Sequence, residues 1–253
     1  GRACRAGLGG ASSEVGSLKR SRGDLAMNSV TRWFSSKRGG ALVAASLVAL
    51  ATVLVYWAPT ASEGLQYDRT AIAAGQFWRI ATCHLTHWSL DHLFWDTAVF
   101  VCLAAICMGE SHRATWICLG ASALAIPAAL WFWIPDMPTY RGLSGLDSAL
   151  FALLTVTLIR RGVAEGSWRS VVIACAFALA FGAKTIVELV TGTTMFVDSR
   201  AAAMVPIPLA HVVGGVVGAA CGRPMALLAV VARGGNLPWP EWAKRPRQAK
   251  HLP

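Results

Sequence analysis

The segment Tyr140-Arg-Gly-Leu-Ser-Gly-Leu-Asp-Ser-Ala-Leu-Phe151 places Ser144 between Gly142 and Gly145, where a polar loop gives way to an apolar run. Glycines on either side let backbone approach closely and adopt angles closed to other residues. A hydroxyl at the start of a helix is surrounded by backbone N–H groups that lack intrahelical partners. These are the components of a nucleophile beside a donor site for an oxyanion. In an ordinary membrane helix the same small-residue cluster serves close packing. The rest of the chain has to decide between the two.

The surroundings are a membrane protein's. Of 253 residues, 55% are hydrophobic and only 14% are charged, against about 25% charged in soluble domains. Cys102, Cys107, Cys118, Cys175 and Cys221 lie inside apolar runs and read as small hydrophobes, not as a disulfide framework. No Cys/His spacing has the pattern of a structural zinc site, so no metal is expected. The net charge of +10 would suit nucleic acid, but the charges flank apolar segments, so they carry topology and no nucleic-acid partner is expected.

Residues 1–40 read as a basic N-terminal leader, disordered over residues 1–26, which are rich in Gly, Ser, Ala and Arg without an apolar period. Met27 offers an alternative start. Arg32, Lys37 and Arg38 then precede an apolar stretch from about Ala41 to Ala58. A signal peptide has the same order, but this run exceeds an h-region of about 7–15 residues, which favours a retained helix. Residues 59–91 form a long loop with interfacial Trp78 and Trp88. Further spans are expected over about His92–Gly109, Ala114–Ile134, Ser144–Ile159, Val171–Val190 and Leu209–Val231. The domain plan is therefore a six-helix membrane unit over 41–232 and a flexible, basic cytoplasmic tail over 233–253.

With a cytoplasmic N-terminus, Arg32, Lys37, Arg38, Arg113, Arg160, Arg161, Arg169 and the basic tail all fall inside. Only Arg69, Arg79, Arg141 and Arg200 fall outside. The asymmetry predicts both termini in the cytoplasm and Ser144 near the outer face.

Ionisable residues inside apolar spans are costly and point to function. Asp96 follows His92 by one helical turn, and Asp147 follows Ser144. His211 opens the last span at the level of Ser144, and Gly214 and Gly218 behind it share one face that admits a close helix. If that helix carries Ser144, His211 comes within hydrogen-bond reach of it. Alone, His211 reads as a helix-end histidine bonded to a carbonyl. Lys184 and Glu188, four apart, read as an internal salt bridge. A serine needs a base such as neutral imidazole, and His87 and His92 stand where a donor to the oxyanion is wanted.

His84-Leu-Thr-His87-Trp-Ser-Leu-Asp-His92-Leu-Phe-Trp-Asp96, Gly142-Leu-Ser144-Gly145 and Ala210-His211-Val-Val-Gly214-x-x-x-Gly218 together resemble the rhomboid intramembrane serine proteases. Trp78-Arg79 resembles the Trp-Arg pair of the rhomboid first loop. The likeness covers roughly Ala41 to Val231, and its wording is closest to the bacterial rhombosortase branch. It implies an all-α polytopic membrane protein with a six-transmembrane-helix rhomboid-type core. Ser144 would be the nucleophile, His211 the general base, His92 an oxyanion donor and His87 a supporting histidine, beside Gly142 of the serine motif.

Two positions depart from the family. Many rhomboids have asparagine where this chain has Asp96, and an ionised aspartate cannot donate to an oxyanion. Asp96 is either held protonated by its surroundings or orients His92 and leaves donation to others; the second is preferred. Many rhomboids also carry tyrosine where this chain has Ser148. Its neighbour Asp147 would be a partner for His211, although only one of the two can face it.

The resemblance implies an intramembrane serine endopeptidase of a bacterial inner membrane, its site open to the periplasmic side, working without cofactor. Its partners would be the lipid bilayer and membrane-anchored substrates with a transmembrane helix or C-terminal anchor. The rhombosortase likeness adds glycine-rich C-terminal sorting tails of secreted proteins. The alternative is a non-catalytic rhomboid-like protein that binds transmembrane helices. A transporter using Asp96, Asp147, Lys184 and Glu188 would call for an inverted repeat, which the sequence lacks.

Overall fold

Apolar runs of helical length separated by short polar breaks have one way to satisfy their backbone in lipid, which is to coil. The computed structural model bears this out and describes residues 37–194, 197 and 207–223. Both the basic leader ahead of residue 37 and the basic tail lie outside the described residues, as does Arg200. Helix α1 (Lys37–Tyr56) ends just before Pro59 and is followed by α2 (Pro59–Leu65), bent 114° from it. Pro59 at the first helical turn loses no hydrogen bond there.

The stretch expected as a plain loop has its own architecture. Strand β1 (Tyr67–Asp68) leads into α3 (Arg69–Ala73), capped by Asp68, whose side chain accepts from Ala71 N–H at 2.9 Å. Then come α4 (Arg79–Thr82) and a 3-10 turn at Cys83–Leu85. Arg79 is buried and donates to the carbonyls of Glu63 (2.6 Å) and Gln66 (3.0 Å). One fixed, branched cation thus satisfies carbonyls that no helix or strand pairs.

The second and third expected spans are joined as α5 (Leu90–Trp133), a run of 44 residues broken at Ser111, whose φ −158° and ψ 104° are extended. Asp96 bonds Ser144, while Ile126 lies against Gly145. An unbroken helix would hold Asp96 and Ile126 about 45 Å apart, so the chain doubles back at Ser111. Its hydroxyl accepts from Ala114 N–H and starts the second limb.

Strand β2 (Thr139–Tyr140) pairs antiparallel with β1, Tyr67 opposite Tyr140, and fixes the first loop to the segment entering α6 (Ser144–Glu165). Helix α6 outlasts its expected end because Arg160 donates to the Gly222 carbonyl and Arg161 pairs with Glu110 and Glu165. It stops at Gly166, φ +68°, an angle that suits glycine. Helix α7 is Trp168–Thr191. Helix α8 is Pro208–Cys221, followed by Gly222 and Arg223 outside the helix, and the rest of the expected span, to Val231, lies outside the described residues. Its 14 residues reach about 21 Å.

Among the described residues, α5 and α7 are long and apolar enough to cross a membrane, and the bent α1–α2 pair passes jointly. Helix α6 sits at the centre, packed on α5, α7 and α8. Its tightest neighbour is α8: a Cβ at Gly214 would overlap the Gly145 carbonyl oxygen, and one at Gly218 the Ala149 carbonyl oxygen. The two backbones therefore touch. Small residues at four-residue spacing permit this approach and nothing larger would.

Candidate active site

Ser144 is the first residue of α6. The turn before it depends on Gly142, whose φ of +126° is closed to other residues. A Cβ there would also stand 2.8 Å from His92 Nε2 and 3.1 Å from Asp96 Oδ2. The Gly142 carbonyl accepts from the Tyr140 hydroxyl at 3.3 Å and lies 3.3 Å from His84 Nδ1. His84 Nε2 is 3.2 Å from the Ala123 carbonyl, so this buried imidazole ties the serine turn to the second limb of α5.

Asp96 is the hub. Its Oδ2 accepts from Leu143 N–H at 2.9 Å and Ser144 N–H at 3.1 Å. The same oxygen is 3.1 Å from His92 Nε2 and 3.5 Å from His87 Nε2. His92 Nδ1 accepts from Trp88 N–H at 3.4 Å, which leaves Nε2 as the protonated nitrogen facing Asp96. Two groups that could serve an oxyanion, the Ser144 N–H and His92, thus both converge on the Asp96 carboxyl. His87 stacks edge-on against His92 with centroids 5.0 Å apart. Both His84 and His87 belong to the first loop, and burial pushes each imidazole below its ordinary value.

His211 lies in the first turns of α8, next to the contact of Gly214 with Gly145. Its Nδ1 stands 3.2 Å from Glu188 Oε2, within hydrogen-bond distance though not well aligned. Glu188 Oε1 in turn accepts from Lys184 Nζ at 2.7 Å. Ser144 Oγ makes no hydrogen bond to His211 in this structure; catalytic contacts of this kind are commonly long until substrate binds.

Asp147, the expected partner of His211, makes no hydrogen bond to it in this structure, although both line the same cavity. Asp147 Oδ1 is buried without a hydrogen-bond partner, and the Ser148 hydroxyl donates back to the Ser144 carbonyl at 2.8 Å. Neither residue holds the imidazole. Their helix turns them along α6, while α7 delivers Glu188 from the other side.

A cavity of roughly 270 Å³ joins these groups. Ser144, Asp147 and Ser148 enter from α6, His211 from α8, His92 and Asp96 from α5, and Phe181, Lys184 and Glu188 from α7. Arg141 spans its rim, over the Trp88 ring at 4.4 Å and bonded to Gln66 Oε1 at 2.7 Å. His87 lies behind His92 and does not line the cavity. Such a space can hold an acyl group against Ser144 with His211 as proton acceptor. Among the described residues, no group of His, Cys, Asp and Glu has metal-binding geometry.

Sequence reasoning missed Glu188 as a neighbour of His211, and His84 and Tyr140 as supports of the serine turn. The signal for Glu188 was present: it lies late in its span, at the level of Ser144 and His211. Its four-residue spacing from Lys184 supplied a sufficient explanation without a third residue.

The architecture defines a helical membrane protein with a serine and a histidine on two touching helices, lining one cavity. A family model, the Rhomboid domain, matches residues 74–227, and the chain belongs to the rhomboid family. Rhomboids are generally serine intramembrane proteases acting on membrane proteins within the bilayer, and non-catalytic members exist. No curated protein matches the chain.

Proposed function

We propose that this protein is an intramembrane serine endopeptidase in which Ser144 is the nucleophile and His211 the general base. The observation that carries this reading is the backbone contact of α6 and α8 at Gly145 and Gly214, which opens Ser144 and His211 onto one cavity. His211 takes the Ser144 proton as Oγ attacks the peptide carbonyl, then gives it to the leaving amine; water releases the acyl group by the reverse path. Asp96 is a positioning group for His92 and for the Ser144 turn. His92 and the Ser144 N–H serve the oxyanion once the Asp96 contact loosens, and His87 buttresses His92.

The core has six spans, with both termini cytoplasmic and the cavity toward the periplasmic face of a bacterial inner membrane. The Lys and Arg distribution supports this orientation. Substrates are membrane-anchored proteins with a transmembrane helix or C-terminal anchor. Within the rhombosortase branch, suggested by the wording of the His87–Asp96 and Tyr140–Gly145 segments, they are glycine-rich C-terminal sorting tails.

One observation favours a second reading, a non-catalytic member that binds transmembrane helices: Asp96 occupies the Ser144 N–H. Cleavage of a single-span substrate in proteoliposomes separates the two. Ser144→Ala and His211→Ala should each lower turnover at least about 1,000-fold. Wild-type turnover in either variant refutes the dyad.

A further inference from the structure

Helix α7 turns most of its surface outward. Leu179, Ile186, Leu189 and Val190 are exposed, and its buried residues are Ala174 and Glu188. A carboxylate is a costly group to bury on an otherwise lipid-facing helix and is retained where it has partners and a task. Glu188 has both neighbours in place: Lys184 Nζ at 2.7 Å on Oε1, and His211 Nδ1 at 3.2 Å from Oε2. Glu188 is only 2% exposed, so water does not substitute for either. The contact lies on the ring nitrogen that a general base must leave protonated.

We propose that Glu188 is the positioning acid of His211, so that Ser144, His211 and Glu188 form a triad with Lys184 as the anchor of its carboxylate. This rests on the Ser144–His211 reading above. In the proposed arrangement the ring turns to aim its Nδ1 proton at Glu188, 3.2 Å away, and presents its Nε2 lone pair to the Ser144 hydroxyl. When Ser144 Oγ bonds to the peptide carbonyl carbon, its proton passes to Nε2 and the carbonyl electron pair moves onto oxygen. As that pair returns, the C–N bond breaks and the leaving nitrogen takes the proton from Nε2. Glu188 stays ionised throughout and stabilises the transient imidazolium. Lys184 donates to the carboxylate oxygen that His211 does not face, so it restrains the carboxylate without competing for the ring. Other charged or titratable groups on the cavity are Tyr140 from β2, Arg141 from the turn after it, Asp147 from α6, and His92 and Asp96 from α5. None of them is paired with His211.

The test uses full-length protein in proteoliposomes with a fluorogenic single-span substrate, comparing wild type, Ser144→Ala, Glu188→Gln and Glu188→Asp. Glu188→Gln should lower kcat about 100- to 10,000-fold with KM little changed, as loss of a triad acid does elsewhere. It should also move the acid limb of the kcat–pH profile to lower pH, because the imidazolium loses a neighbouring anion. Glu188→Asp should restore part of kcat and keep the wild-type limb. A wild-type kcat and limb in Glu188→Gln overturns the proposal. So does a lowered kcat with an unshifted limb, which marks a structural role.

A second measurement needs no substitution at Glu188. The 15N spectrum of histidine-labelled protein, with His211 assigned by its loss in His211→Ala, should show Nδ1 protonated and Nε2 bare. The opposite tautomer contradicts the proposal even if Glu188→Gln does not fold. Ser144→Ala keeps the two readings apart. Wild-type cleavage in that variant defeats the dyad, whereas an inactive Ser144→Ala beside a fully active Glu188→Gln defeats only the triad.

Discussion

The carboxylate of Asp96 accepts a hydrogen bond from the backbone N–H of Ser144 at 3.1 Å, on the donor that an acyl-transfer site aims at its oxyanion. An anion at that place repels a second one. Asp96→Asn keeps an oxygen for the Leu143 and Ser144 N–H groups and brings an N–H₂ donor while removing the charge. We expect turnover at least equal to wild type, read from cleavage kinetics. A loss beyond about tenfold would show that the negative charge is needed to hold His92.

Gly142 has no tolerated replacement. Its φ of +126° strains any side chain, and a Cβ would press on His92 Nε2 and Asp96 Oδ2. Gly142→Ala should cost about 1–3 kcal/mol of stability and nearly all activity. The check is thermal unfolding in detergent beside the cleavage assay. Stability and activity near wild type would mean that the turn can rearrange.

The α6–α8 contact should be just as intolerant. Gly218→Val would drive a branched side chain into the Ala149 carbonyl, separating the helices that carry Ser144 and His211. We expect destabilisation of about 3 kcal/mol or more. By contrast, Gly215→Ala, on a face with open space around it, should be near neutral. Equal effects at the two positions would contradict the packing.

Acid should weaken the fold through its first loop. Burial lowers the pKa of His84 and His87, so the folded protein refuses protons that the unfolded chain accepts below about pH 6.5. Their stabilisation is complete above that value and is lost as pH falls toward their folded values. Tm in detergent should drop between about pH 7.5 and about pH 5.5, and the drop should shrink in the His84→Gln/His87→Gln variant. An unchanged drop would assign the acid sensitivity to other groups.

The sequence carried the spans well where apolar length alone sets them, as in α7, and it located the break near Ser111 from the polar Glu110–Arg113 run. It also foresaw that Gly214 and Gly218 would admit a helix, because small residues at four-residue spacing have few other uses. It could not see that Asp96 would take the Ser144 N–H, since that contact joins residues 48 positions apart. Nor could it find Glu188 beside His211, for which it offered only Asp147 or Ser148. Helical spacing fixes which residues share a face, but the rotation of α7 against α8 comes only from packing. The structured first loop was hidden for the same reason: Arg79 and Arg141 organise it through carbonyls and side chains distant in sequence.

The most direct test of the central claim is covalent. Wild-type protein in detergent is treated with a fluorophosphonate, digested, and the adduct located by mass spectrometry. The account predicts one adduct on Ser144, absent from Ser144→Ala and strongly slowed in His211→Ala. An adduct on another serine, or labelling of Ser144 at an undiminished rate in His211→Ala, would contradict it.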